Sequence, residues 1–143
     1  MASVDVNYMA VVVSALANMG LGSLWYGPLF GKQWMALMGI THESINAQKV
    51  KNEMWKAYAL AFVGSLAMAY VLHHVMVLAS SYFGTNGIQT GLSSAFWSWL
   101  GFVAPVTLGS VLWEGKPWKL WWLMNSYYLL ALLIMGSIIG AWM

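Results

Sequence analysis

Residues 120–142 read LWWLMNSYYLLALLIMGSIIGAW, an apolar run with no acidic or basic side chain. A helix needs about 20 residues to cross a hydrocarbon core, and this stretch is long enough. Three more runs resemble it, from about Val6 to Trp25, Trp55 to Ser80 and Gly91 to Trp113. With 61% apolar and 7% charged residues, a soluble fold would need a core far larger than 143 residues can bury. Lipid must cover the remainder. The reading is all-α: an integral membrane four-helix transmembrane bundle, one domain over residues 1–143, with no room for a separate soluble domain.

The basic residues set the orientation. Lys32, Lys49, Lys51 and Lys56 lie at or near the link between spans one and two, and Lys116 and Lys119 lie between three and four. The opposite side, formed by the N-terminus, residues 82–90 and the C-terminus, carries no lysine or arginine. The positive-inside bias therefore places both links in the cytoplasm of a cell (inner) membrane protein and both termini outside. These lysines are too few and too scattered for a nucleic-acid footprint, so no nucleic-acid partner is expected. Residues 1–7 lack a cationic n-region, so the first run is expected to remain in the mature protein.

Tryptophan repeats the topology argument. Trp25, Trp34, Trp55, Trp113, Trp118, Trp121 and Trp122 fall at the lysine-bearing ends, where an amphipathic ring sits among headgroups. Trp97 and Trp99 fall deeper, as candidates for lining a site. After span one, Pro28 suits the first position of a helix and Gly39 the residue just past its end, which predicts a short interfacial helix over 28–38. Thr41 can cap a further helix, and the stretch to Glu53 runs without a breaker into span two, which should project beyond the membrane.

Small residues mark the packing faces. Span one offers Ala10, Ser14, Asn18 and Gly22, and span two Ala57, Ala61, Gly64, Ser65 and Ala69. Span three offers Gly91, Ser94, Ser98, Gly101, Pro105 and Gly109. Gly136 and Gly140 on span four are expected to admit a second subunit, making the protein a homo-oligomer. Pro105 should bend span three.

Polar groups inside the spans fall at two depths. Asn18, Thr107 and Asn125 lie toward the lysine-bearing end, and His73, Ser94 and Ser98 toward the other. An amide in hydrocarbon needs partners, and Asn18 and Asn125, on different helices at similar depth, can bond to each other or to a solute. The expected binding set is Asn18, Trp25, Thr107 and Asn125 on the inner side, with His73 and Ser98 on the outer.

His73 and His74 are vicinal, which lacks the three- or four-residue spacing that puts two ligands on one helix face. No metal site and no cofactor are expected, and a bis-histidine haem would need two subunits. The spans hold no carboxylate for a Ser-His-Asp set, and the chain has no cysteine for thiolate chemistry, so no catalytic residue is assigned. The leading reading is a small-solute or ion binding or transport protein. A rival is an accessory subunit that scaffolds a membrane-protein partner, and a membrane enzyme or haem protein ranks third.

The stretch Gly22-Ser23-Leu24-Trp25-Tyr26-Gly27-Pro28-Leu29-Phe30-Gly31-Lys32-Gln33-Trp34-Met35 resembles the domain-of-unknown-function 1761 family of small membrane proteins. The resemblance continues through 101–105, Glu114-Gly115-Lys116-Pro117, Asn125-Ser126-Tyr127-Tyr128 and Met135-Gly136. It implies a four-span protein with no established activity, and it supplies no site residue. Where the family pattern leads one to expect a histidine, this chain has Tyr128.

Overall fold

Asn7 starts the first helix, its side-chain oxygen accepting the Ala10 N–H at 3.1 Å, as an N-cap does for an otherwise unpaired donor. A computed structural model describes residues 3–45 and 48–143. Their regular structure is entirely helical. Four helices are long and apolar enough to cross a membrane: span one, Tyr8–Leu29; span two, Glu53–Phe83; span three, Ile88–Leu112; and span four, Trp118–Ala141. The protein is a multi-pass membrane protein.

Each span packs on its sequence neighbours, span one closes against span four, and spans two and four touch across the diagonal. The second helix runs Gln48–Phe83. Its 36 residues make about 54 Å of helix, well beyond the ~30 Å hydrocarbon core. Thr41 caps a short helix, His42–Ile45, by accepting the Ser44 N–H at 3.4 Å. The expected continuity from Thr41 to Glu53 crosses residues 46–47, which lie outside the described residues.

The core lies toward the lysine-free end, where Ala10, Ala69, Leu72, Met76, Met135 and Ile139 are buried together. There spans three and four meet glycine on glycine. A Cβ on Gly91 or Gly136 would overlap the other's backbone, and one on Gly140 would stand 2.5 Å from the Gly87 carbonyl oxygen. This corrects the assignment of Gly136 and Gly140 to a second subunit: both are buried against span three of the same chain. The cause is that span three offers its own small face, Gly91 and Ala95, at the matching depth.

At the other end the helices loosen. Span one breaks at Gly27, whose φ of −106° and ψ of −105° are not helical, and Pro28 follows this kink. The short helix is Gly31–Met38, so Pro28 lies between the kink and this helix and is not its first residue. Gly39 ends it at φ 70°, the left-handed conformation a glycine adopts without strain. Span three widens at Trp99–Val103, directly before the helical turn that holds Pro105. Proline cannot donate to the carbonyl four residues back, that of Gly101, and the Thr107 hydroxyl separately donates to the Val103 carbonyl at 2.9 Å.

Candidate functional site

The two asparagines are buried by different partners. Asn18 Nδ2 donates to Ser65 Oγ at 2.7 Å, and Asn18 Oδ1 accepts from Tyr127 Oη at 2.7 Å. Ser65 in turn donates to the Ala61 carbonyl at 2.9 Å. One chain of bonds thus ties spans one, two and four. Gly22 makes it possible, because a Cβ there would stand 3.0 Å from the Tyr127 hydroxyl.

Asn125 is held on span four's other side. Its Nδ2 donates to Thr107 Oγ1 at 2.9 Å and lies 3.2 Å from the Trp121 carbonyl. Trp121 Nε1 also donates to Thr107 Oγ1, at 3.1 Å. This cluster ties spans three and four. Asn18 and Asn125, which could have bonded to each other, do not: each amide found a hydroxyl on a nearer helix.

Around the first network lies a cavity of about 520 Å³ between spans one, two and four. Asn18 and Ser65 are buried members of its lining, and Tyr26, Tyr58, Tyr127 and Tyr128 supply phenol rings. Gly64 keeps its wall low, since a Cβ there would meet nothing within 4 Å. The described lining holds no charged side chain. Such a hollow accepts and donates hydrogen bonds and stacks on rings, within the volume range of small-molecule sites.

A second hollow, about 370 Å³, lies between the ends of spans three and four and the short helix. Thr107, Trp121 and Asn125 border it, and Tyr128 borders both hollows. The other expected site residues stand apart. Trp25 Nε1 donates to the Leu123 carbonyl at 3.2 Å, so this ring ties span one to span four outside both hollows. His73 is buried near the lysine-free end, where its Nε2 accepts the Asn7 N–H at 3.4 Å. Ser98 borders an apolar groove between spans two and three. The six residues therefore fall into separate places and form no single lining.

The belt reading of tryptophan also divides. Trp55, Trp113, Trp118 and Trp122 are exposed, as rings among headgroups should be, whereas Trp121 is buried in the Thr107 cluster. Trp97 is exposed beside the groove, and Trp99 packs against the core.

Sequence reasoning passed over the tyrosines. The available signal was Asn125-Ser126-Tyr127-Tyr128, a polar cluster inside a run that otherwise belongs to lipid. Among the described residues no group of three or more His, Cys, Asp or Glu side chains can hold a metal.

Comparison with curated proteins and with solved structures gives no match. The profile of one family, described as protein of unknown function (DUF1761), matches residues 9–140, from the start of span one to the end of span four. That range contains both polar networks and both hollows, and by it the chain belongs to this family.

Proposed function

We propose that this protein binds an uncharged, ring-bearing small molecule in the cavity between spans one, two and four. The observation that carries the reading is a hollow of about 520 Å³ lined by four phenol rings and one buried amide. A charged ligand would find no described counter-charge inside it, at a cost no hydrogen bond offsets. A ring with one or two hydroxyl or carbonyl groups would stack on the tyrosines and bond to their hydroxyls. Binding suits this chain better than conduction, because the core and the glycine contacts fill the bundle toward the lysine-free end.

The orientation belongs to the same proposal. Both termini face outside the cell membrane, and the cavity is reached from the cytoplasmic half. The protein works as a homo-oligomer, and its copies meet along the face of span three that carries Trp97, Phe102 and Val106, all largely exposed in one chain.

One observation favours the rival scaffold reading. Both asparagine networks are satisfied inside the bundle, as interhelical bonds that need no ligand. The test is recovery of the full chain in native lipid, followed by identification of extracted small molecules. Gly64→Phe places a ring in the cavity from a position where a Cβ meets nothing within 4 Å. A neutral ring compound bound to wild type and lost from a folded Gly64→Phe supports the proposal. Identical extracts from both favour the scaffold.

A further inference from the structure

The second hollow brings side chains of opposite charge to one mouth. Glu114 and Lys116 both border it, while Met38, Val106, Leu120 and Met124 give it apolar walls. The loop that carries the charges is pinned. Gly115 turns the chain at φ 69°, and the Lys116 N–H donates to the Ser110 carbonyl at 3.0 Å, folding the loop back over the end of span three. Among the described residues neither charged side chain makes a hydrogen bond or an ion pair. Thr107, Trp121 and Asn125, at the floor, are committed to one another. The hollow therefore offers a partner two unpaired charges of opposite sign at its rim and hydrocarbon below.

This rim lies at the end of spans three and four, beside the exposed Trp113 and Trp118, the depth at which headgroups meet acyl chains. We propose that the second hollow binds a zwitterionic phospholipid with a primary-amine headgroup. Its phosphate pairs with Lys116, its ammonium donates to the Glu114 carboxylate, and the first carbons of an acyl chain lie on Met38, Leu120 and Met124. A quaternary ammonium has no N–H to give Glu114, and an anionic headgroup leaves that carboxylate without a cation. The chemistry thus selects phosphatidylethanolamine over phosphatidylcholine and phosphatidylglycerol. The proposal does not depend on the tyrosine-lined cavity being a ligand site.

Native mass spectrometry of the full chain, released from an equimolar mixture of these three lipids, tests it. For a single partly exposed ion pair the expected preference for phosphatidylethanolamine over phosphatidylcholine is about two- to fivefold. Glu114→Gln should equalise the two, Glu114→Asp should keep the preference, and Lys116→Gln should lower all three adducts. The aspartate variant separates a lost carboxylate from a damaged loop. Equal binding of the two lipids to wild type, or an unchanged preference in Glu114→Gln, overturns the proposal. Displacement of the lipid by free phosphoethanolamine overturns the lipid assignment in favour of a soluble zwitterion.

Discussion

Gly91 and Gly136 lie backbone against backbone across spans three and four, with no room at either position for a β-carbon. The contact brings two helices together where lipid gives them no hydrophobic reason to associate, so close packing must supply the attraction. Gly91→Ala or Gly136→Ala should force the spans apart. The expected loss is about 1–3 kcal/mol of stability, the usual cost of overpacking. Thermal unfolding in mild detergent measures it. Gly64→Ala, at an open position, is the control and should leave the midpoint unchanged.

Removing the Asn18 amide takes the 2.7 Å acceptor from Tyr127, leaving it only the residue-18 backbone carbonyl at 3.4 Å, and takes from Ser65 the donor it accepts. Asn18→Leu should destabilise by roughly 1–3 kcal/mol, the cost of leaving buried polar groups unpaired. Tyr127→Phe in the Asn18→Leu background should then cost less than it does in wild type, because its partner is already gone. A double-mutant cycle measures this coupling. Full additivity would show that the 2.7 Å contact between Tyr127 and Asn18 contributes nothing.

Asn18 and Asn125 make a contrasting pair. They share no partner, one bonding to Ser65 and Tyr127 and the other to Thr107. Asn18→Leu and Asn125→Leu should therefore add, within about 0.5 kcal/mol. A double mutant more stable than either single would mean that the two amides bond to each other in the membrane.

The spans were legible because twenty-odd apolar residues in a row have one physical solution, and Leu120 to Trp142 states it without a charge to argue otherwise. Gly39 was legible for a similar reason: a helix stop with positive φ calls for glycine. Partner choice was not. Gly136 looks the same in sequence whether it meets Gly91 or another copy, since packing in lipid rewards both alike. Pro28 likewise fits either the start of one helix or the end of another, and in the structure it lies between the kink at Gly27 and the helix that starts at Gly31. The cavity escaped because a tyrosine inside a span looks the same in sequence whether it lines a hollow or packs against a neighbouring helix. What sets Tyr127 apart is Gly22 on a different helix, a relation that no pattern within one span contains.

Orientation rests on charge alone, and it can be measured directly. All six lysines lie in the two links or at the adjoining ends of the spans, on one side of the bundle, and moving such charges across a bilayer is what the positive-inside bias penalises. Reporters fused to either terminus should be active only if they fold outside the cytoplasm. A cytoplasmic reporter should work when inserted at Gly115, whose link lies at the lysine-bearing end. Replacing Lys116 and Lys119 with glutamine should invert only a minority of molecules, because the four lysines at or near the first link still hold that side in. Substituting all six should scramble the population. Terminal fusions active only in the cytoplasm would reverse the assignment, and would move the tyrosine-lined cavity to the outer half of the membrane with it.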